Sequence, residues 1–281
     1  MTAISPIRYQ GNKRSLIPLI LEHTPSIKEC PRMIDAFGGS GTVTINMPQQ
    51  FRVYNELSTP VYEIVKLLSE QDPKKTMTQI KRIVKKWALT NTGEWQYDEF
   101  RKHVQKKRDP LLHYIAHRHA HSNMLRFNQQ GVYNVGFGNR GLIGKFDELE
   151  QELTDFYWRM QGVHVTNMKY NQLLARVYKQ LNSSTFCYFD PPYLASGAMQ
   201  YGPKWTERHE HNLLATLAWL NKQGCPWMLS NVIEHRHFSN DLLKRWLRKH
   251  ATTVLYPNKS YAMNNGQSGS HGTVEILAMN Y

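Results

Sequence analysis

The most informative run for the fold is Thr185-Phe186-Cys187-Tyr188-Phe189-Asp190-Pro191-Pro192-Tyr193. Its first five residues are β-branched, aromatic or apolar, which predicts a buried β-strand over Thr185–Phe189. Pro191 and Pro192 end the strand and stiffen the backbone that follows, because proline lacks an N–H donor and fixes its φ angle. Ligands of open α/β sheets bind beyond the carboxyl ends of the strands, and Asp190 stands at such an end.

The turn Asp190–Tyr193 suits a flat ligand ring that carries an amino group. The Asp190 carboxylate and the Pro191 carbonyl can each accept one N–H bond, while the Tyr193 ring can stack on the ligand. An ordinary strand-ending turn is the alternative, since prolines often end strands. The combination of an acid, two prolines and an aromatic ring favours the ligand site.

A second strand followed by glycines comes earlier in the chain. The predicted strand Arg32–Phe37 leads into Gly38–Gly41, where glycines allow the backbone to approach a ligand closely. Glu56 follows the next predicted strand, Phe51–Tyr54, about 20 residues on, where nucleoside-binding α/β folds place an acid for the ribose hydroxyls. The sequence contains neither G-x-G-x-x-G nor G-x-x-x-x-G-K-[ST], so neither a dinucleotide site nor a P-loop triphosphate site is indicated.

Strands alternate with helices at both ends of the chain, which predicts one mostly parallel α/β sheet. Basic helical segments replace this alternation between residues 73 and 161, and the stretch Phe127–Gly144 within them suits a hairpin or an ordered loop. The sequence therefore predicts a sheet domain over residues 1–72 and 162–281, with an insertion at residues 73–161. The remaining predicted elements are the helices Pro60–Glu70, Lys74–Leu89, Glu207–Lys222 and Asn240–Lys249 and the strands Pro226–Leu229, Thr252–Tyr256 and Thr273–Ala278.

The charge balance of the chain favours an anionic partner. Its 281 residues include 41% hydrophobic residues and carry a formal net charge of +13, and nucleic acid is the commonest partner of such a protein. A basic protein with an ordinary solvated surface is the alternative.

Three cysteines without a C-x-x-C pair argue against a disulfide framework or a zinc knuckle and predict reduced core thiols. The sequence has neither the apolar run of a secretory signal nor one long enough for a membrane span, which predicts a cytoplasmic protein.

Seven stretches of the chain resemble motifs of the Dam-type DNA adenine-N6 methyltransferases. The order of cofactor motif, recognition insertion and catalytic motif is that of the family's α group, and the similarity is greatest to the T-even bacteriophage enzymes. The stretches are Arg8–Lys13 for the cofactor, Asp35–Gly41 for the glycine turn, His121–Asn128 and Phe137–Arg140 for target recognition, Asp190–Tyr193 for catalysis, and Leu229–Val232 and Gly272–Glu275.

This resemblance implies a Rossmann-like sheet that uses S-adenosylmethionine, with a helical DNA-recognition insertion at residues 73–161. The implied reaction transfers a methyl group from S-adenosylmethionine to N6 of a flipped adenine in duplex DNA, typically within GATC, without a metal ion. A monomer or weak dimer on DNA, in a bacterial or phage-infected cytosol, is implied as well. Two alternatives stay open: a DNA-binding protein that has lost catalysis, and a methyltransferase that acts on an amino group in RNA or protein.

Individual residues take their implied roles from the same resemblance. Three departures from the family pattern stand out, because Glu56 replaces the usual Asp, His121 replaces an aromatic residue and Gly136 replaces a proline. The implied catalytic residues are Asp190, Pro191, Pro192 and Tyr193. The implied cofactor-binding residues are Tyr9, Lys13, Asp35, Gly38, Ser40, Glu56 and Asp190. The implied DNA-binding residues are Arg8, His121, Ser122, Met124, Arg126, Asn128 and Arg140.

Histidines recur at helical spacing at His113, His117 and His121, which places them on one face of a predicted helix. Metal ligation is one interpretation, but no Glu or Cys nearby completes a set. A basic helix that faces DNA explains the spacing better, so we expect these histidines at a DNA-facing surface.

Overall fold

The computed structural model describes residues 2–9, 11–128, 130–139, 141–194, 205–235, 238–257 and 272–281. Within these residues the helices are α1 (Ile17–Glu22), α2 (Thr59–Glu70), α3 (Pro73–Lys86), α4 (Glu94–Lys107), α5 (Pro110–His119), α6 (Phe146–Met160), α7 (Tyr170–Arg176), α8 (Glu207–Lys222) and α9 (Asp241–His250). The strands are β1 (Arg32–Asp35), β2 (Phe51–Asn55), β3 (Val163–Thr166), β4 (Thr185–Phe189), β5 (Trp227–His235), β6 (Phe238–Ser239), β7 (Thr253–Leu255) and β8 (Val274–Met279).

The chain divides into two compact units, and each has its own core of buried apolar side chains. The first unit comprises Met1–Pro18, Gly38–Met47 and Tyr54–Asn167, and the second comprises Leu19–Phe37, Pro48–Val53 and Met168–Tyr281.

The sheet of the second unit is parallel at its centre and antiparallel towards one edge. Strands β1, β4 and β5 run parallel, whereas β8 runs antiparallel to both β5 and β7, and β6 pairs with β5. The strand order in this unit is β2-β1-β4-β5-β8-β7, with β2 contributing Phe51–Val53. All five residues of β4 are buried, as expected for a central parallel strand. One core of this unit joins the sheet to leucines of α8 and α9: Leu213, Leu217, Leu220, Leu243 and Leu247.

The first unit is mainly helical. Helix α2 packs against α5 and α6, α3 packs against α5 and α6, and α4 packs against α5. The end of β2 and the strand β3 also belong to this unit, and the Glu56 N–H donates to the Thr166 carbonyl at 3.1 Å. The core of the unit is rich in buried aromatic side chains: Tyr54, Tyr97, Phe100, Tyr114 and Phe156.

Capping residues explain where two helices of the first unit begin. Asp72 and Asp109 each accept a backbone N–H bond of the first helical turn at 3.0 Å, from Lys75 and Leu112. A proline follows each aspartate directly, at the position where a missing N–H costs nothing. The helix start predicted near Pro73 is therefore confirmed.

The predicted α/β fold with a mostly parallel sheet is confirmed, and β4 and α8 have the predicted bounds. Strand β5 runs on to His235, well beyond the predicted end at Leu229, because β8 pairs with it as far as Glu234. The polar residues Ser230 and Asn231, which are buried in the strand, concealed this continuation. The sequence analysis missed α1, α7, β3 and β6. These elements are short, and β3 has only one buried residue, so their hydrophobic pattern is weak.

Two further predictions about the chain can be compared with the structure. Cys30, Cys187 and Cys225 are buried and free, which confirms the predicted core thiols. In the part of the chain that the structure describes, no helix has the length and apolar character to cross a membrane.

Candidate active site and DNA-recognition segment

The glycine turn Gly38–Gly41 lies in the first unit, and its shape requires glycine. A Cβ atom on Gly38 would lie 2.2 Å from Cε2 of the buried Tyr54 ring, so no larger residue fits there. Gly39 and Gly41 have φ angles of +50° and +76°, in the left-handed region that favours glycine. The Tyr54 hydroxyl donates to the Gly39 carbonyl at 2.6 Å and fixes the turn further.

The Glu56 carboxylate braces this turn. Its Oε2 accepts the Gly39 N–H at 3.0 Å, and its Oε1 accepts the Ser58 N–H at 2.6 Å, directly before α2. Burial raises the pKa of the Glu56 carboxyl group, although the N–H groups of Ser58 and Gly39 oppose that rise. A carboxylate oxygen has two lone pairs, so an oxygen that accepts one backbone N–H retains acceptor capacity for a ligand hydroxyl.

The N-terminal motif lies in the same unit as the glycine turn. The Lys13 side chain is only 4% exposed, and its Nζ donates to the Gly11 carbonyl at 3.0 Å. A Cβ atom on Gly39 would lie 3.4 Å from Cδ1 of Tyr9, so the Tyr9 ring lies against the turn. Burial, and next the negative charge of Glu56, raise the pKa of the Tyr9 hydroxyl. The first unit therefore brings four predicted cofactor residues together at the glycine turn: Tyr9, Gly38, Ser40 and Glu56. Lys13 follows Asn12, whose Nδ2 donates to Oγ1 of Thr42, directly after the turn, at 3.3 Å.

The turn Asp190–Tyr193, predicted to be catalytic, lies in the second unit, at the carboxyl end of β4. The Tyr193 hydroxyl donates to Oδ1 of Asp190 at 3.0 Å, so the phenol and the carboxylate are held together. Burial, followed by the negative charges of Asp190 and Glu275, raises the pKa of the Tyr193 hydroxyl well above its ordinary value. Asp35 ends the neighbouring strand β1, in register with Tyr188, and is 1% exposed. Both predicted aspartates of this unit therefore stand at the carboxyl ends of adjacent parallel strands.

Sequence reasoning assigned no role to several residues around these strand ends. The Phe37 ring lies 5.2 Å from Tyr170, 6.0 Å from Trp205 and 6.4 Å from Phe189, measured between centroids. The Trp205 indole N–H donates to Oε2 of the buried Glu210 at 2.6 Å. The aromatic residue Phe37 at the end of a strand was the signal that could have identified this cluster.

The segment proposed to recognise DNA forms a short hairpin in the first unit, which starts before the stretch Phe127–Gly144 predicted to be a hairpin or an ordered loop. Isolated bridges join Phe127 to Tyr133 and Ala120 to Phe137. At its start Asn123 has a φ angle of +47°, and its Oδ1 accepts a bond from Nη1 of Arg8 at 3.2 Å. This hydrogen bond joins Arg8 to the segment, and both were predicted to contact DNA.

Within the hairpin, the side chains predicted to contact DNA differ in their hydrogen bonds and in their exposure to solvent. Oδ1 of Asn128 accepts the N–H groups of Gln130 and Val132 at 3.0 and 2.9 Å, so this amide shapes the turn. Arg126 is held by Asn134, to whose Oδ1 its Nε donates at 2.9 Å. The other predicted DNA-binding residues of the segment are the exposed His121 and Ser122, the partly exposed Met124, and Arg140, which lies outside the described residues.

The predicted DNA-facing surface of the histidine helix is wrong for His113 and His117. Both lie on α5 and are 3% and 0% exposed, and Nε2 of His117 accepts the Arg8 N–H at 3.1 Å. Their ring size and weak polarity let them pack in the core, which helical spacing alone does not reveal. His121 follows the helix and is exposed, as predicted. Among the residues that the structure describes, no group of three or more His, Cys, Asp and Glu side chains is placed to hold a metal ion.

Comparison with known proteins gives the family. The model of the D12 class N6 adenine-specific DNA methyltransferases matches residues 9–263. Over 99% of its length, the chain is 31% identical to Modification methylase StsI of Streptococcus sanguinis. Over 99% of its length, it is also 27% identical to Type II methyltransferase M.FokI of Planomicrobium okeanokoites. It covers 43% of each of these two proteins. It is also 22% identical to the DNA adenine methylase of Escherichia coli K12, over 92% of this chain and 90% of that protein. The chain thus spans less than half the length of the two modification methylases. Because the family model matches most of the sequence, the chain belongs to the D12 class of N6 adenine-specific DNA methyltransferases.

Proposed function

We propose that this chain transfers the methyl group of S-adenosylmethionine to N6 of an adenine in duplex DNA, within GATC. Family membership supports the reaction class. The observation that carries the proposal is the Asp190–Tyr193 turn at the end of β4, where the Tyr193 hydroxyl and the Asp190 carboxylate are 3.0 Å apart. The resemblance to Dam-type motifs supports GATC as the target.

The catalytic role of the turn is to hold the amino group of the target adenine. This nitrogen is a poor nucleophile, because its lone pair is delocalised into the ring. The Asp190 carboxylate and the Pro191 carbonyl accept its two N–H bonds, which localises the lone pair and fixes its direction. Pro192 keeps the backbone of the turn rigid, and Tyr193 stacks on the base. No water attacks in this transfer, so the proposed mechanism contains no metal-activated water.

S-adenosylmethionine supplies the methyl group when it is bound. The polar groups of the chain fit it: carboxylates for its hydroxyl and ammonium groups, an ammonium for its carboxylate, and a glycine turn that permits close backbone approach. In the first unit we assign Tyr9, Lys13, Gly38, Ser40 and Glu56 to the cofactor, with Glu56 on the ribose, and in the second unit Asp35 and Asp190.

Three features support duplex DNA as the proposed substrate: the position of the target atom, the net charge of the chain and the segment proposed to recognise DNA. Adenine N6 is out of reach inside the stack, so the base must flip out, at a cost of about a few kcal/mol. The net charge of +13 favours phosphate contacts. We assign DNA contacts to Arg8, His121, Ser122, Met124, Arg126, Asn128 and Arg140.

Three finer features belong to the same proposal. We propose that the region of residues 73–161 forms the target-recognition insertion of a catalytic domain made of residues 1–72 and 162–281. We also propose action as a monomer or weak dimer on DNA in a bacterial or phage-infected cytosol. The likeness to T-even bacteriophage enzymes stays a prediction, since the relatives reported above are bacterial proteins.

Methyl transfer from tritiated S-adenosylmethionine tests this proposal. We expect tritium-labelled 6-methyladenine in a duplex that contains one GATC, and no label in a matched duplex whose GATC adenines already carry unlabelled N6-methyl groups on both strands. Label in another sequence would refute GATC. DNA binding without transfer would favour the inactive DNA-binding protein, and label in RNA or protein supplied alongside would favour the other alternative.

A further inference from the structure

We propose that Asn134 is a specificity-determining residue that positions the Arg126 guanidinium for base recognition. This inference rests on the proposed function, in which Arg126 reads a guanine of the target. Asn134 acts through Arg126, so it changes which sequences are methylated more than it changes the chemical step.

Two hydrogen bonds from one side chain to one residue fix the plane of the guanidinium. Nε of Arg126 donates to Oδ1 of Asn134 at 2.9 Å, and Nη2 of Arg126 donates to the Asn134 carbonyl at 3.0 Å. The backbones of the two residues are joined as well, because the Asn134 N–H donates to the Arg126 carbonyl at 3.3 Å. A guanidinium that is held at Nε and Nη2 cannot rotate about its terminal torsions without breaking one of these bonds.

Asn134 itself is held from α4, through its two neighbours in the chain. Nε2 of Gln105 donates to the Tyr133 carbonyl at 2.8 Å. The Val135 carbonyl accepts the Tyr97 hydroxyl at 2.9 Å and Nη1 of Arg101 at 3.3 Å. The residues on both sides of Asn134 are therefore attached to one helix, and Asn134 is a fixed point to which Arg126 is bound.

The other strand of the hairpin is also fixed next to Arg126. The Phe127 ring lies 5.8 Å from Tyr133 and 5.3 Å from the buried His113 on α5, between centroids. Beyond it, the bonds that Asn128 makes with Gln130 and Val132 close the turn. The backbone at Arg126 is thus held on both strands of the hairpin, and Asn134 restrains its side chain through two hydrogen bonds.

A held guanidinium discriminates between base pairs better than a mobile one. Bidentate recognition of guanine needs two N–H groups in the plane of the base, and a mobile arginine can follow a changed base or reach a phosphate instead. Loss of Asn134 therefore weakens discrimination while Arg126 still contributes its charge. We expect Asn134→Ala to narrow the rate ratio between GATC and duplexes with one outer base pair changed by about tenfold.

The test measures initial methylation rates on such a duplex panel at fixed salt, for single and double variants. In an Arg126→Ala background, we expect Asn134→Ala to change the ratio less than twofold, because no guanidinium is left to position. Asn134→Asp keeps the acceptor oxygen, so we expect its rate ratio between GATC and the changed duplexes to stay within about threefold of the wild-type ratio. Gln151→Ala removes an exposed amide on α6 of the same unit and should leave the ratio unchanged.

A second measurement does not depend on activity. Hydrogen exchange of the Arg126 Nε–H, followed by nitrogen NMR of the full chain, should be slow in the wild type and fast in Asn134→Ala. A wild type that fails to methylate GATC but protects this N–H would refute the proposed function and leave the contact established. Equal exchange in both proteins would overturn the proposal, and so would an Asn134→Ala enzyme that slowed equally on every duplex, which would make Asn134 a phosphate contact.

Discussion

Acid should unfold the first unit through three buried histidines of α5. Burial lowers the pKa of His113 and His119 to about 4 and that of His117 to about 3. In the unfolded chain the same side chains titrate near 6.5. The unfolded state therefore binds protons between about pH 6.5 and pH 4 that the folded state does not, so the free energy of unfolding falls as the pH is lowered through this range.

The size of the effect follows from the pKa differences. Each pKa unit by which folding shifts a group corresponds to about 1.4 kcal/mol. At pH 5, each histidine therefore contributes about 2 kcal/mol less to the free energy of unfolding than it does when both states are neutral. Three independent sites give a loss of about 5–6 kcal/mol between pH 7 and pH 5, which is comparable to the whole stability of many domains. Glu56 offsets part of this loss, because its raised pKa lets the folded state bind a proton first.

Hydrogen exchange of α5 peptides in the full chain at pH 7, 6 and 5, corrected for intrinsic exchange, measures this loss. His113→Leu removes one titrating group and should reduce the loss by about 2 kcal/mol. A free energy of opening at pH 5 within about 1 kcal/mol of its value at pH 7 would contradict the assignment of neutral, buried histidines.

Three substitutions test the candidate site and the glycine turn. Asp190→Ala should lower the methylation rate by about a thousandfold, because one of two amino-group acceptors is lost; a rate within tenfold of wild type would remove Asp190 from the mechanism. Glu56→Ala should weaken S-adenosylmethionine binding in equilibrium dialysis by about 1–3 kcal/mol, and unchanged affinity would place the ribose partner elsewhere. Gly38→Ala forces a Cβ atom to within 2.2 Å of the Tyr54 ring and should destabilise the first unit by about 1–3 kcal/mol in thermal unfolding. Gly136→Ala, which meets no atom within 4 Å, is its control, and equal melting of the two variants would show that Tyr54 moves aside.

The sequence predicted the sheet well wherever burial and residue type agree. Strand β4 is apolar over its whole length, and α8 begins after the capping residue Thr206, so both had clear signals. In β5 the signals disagree, because Ser230 and Asn231 are polar but fully buried. A polar pair inside a buried strand reads as the end of that strand when only hydrophobicity is considered.

The sequence proposes residues for the candidate site but does not give their contacts. The motifs placed Glu56 near the glycine turn, whereas the bonds from its carboxylate to Gly39 and Ser58 depend on backbone geometry. Likewise Arg126 was predicted, but its partner Asn134 was not, since cross-strand pairs follow from the register of a hairpin. The prediction that His117 lies at a DNA-facing surface was wrong for a related reason. Helical spacing shows which residues share a helix face, but it does not show which other elements cover that face.

In the hairpin proposed to recognise DNA, the bonds that stabilise the fold are separate from the side chains assigned to target choice. Helix α4 binds it through the main-chain carbonyls of Tyr133 and Val135, and Tyr97 of this helix also contacts the Tyr133 hydroxyl and the Phe137 ring, so this attachment does not depend on the exposed side chains of the hairpin. Variation at exposed hairpin positions can then explore new target sequences on an unchanged frame, as loops vary on a constant scaffold. The same arrangement makes Tyr97, Arg101 and Gln105 the residues to keep constant when the hairpin is randomised in a selection for altered methylation sites.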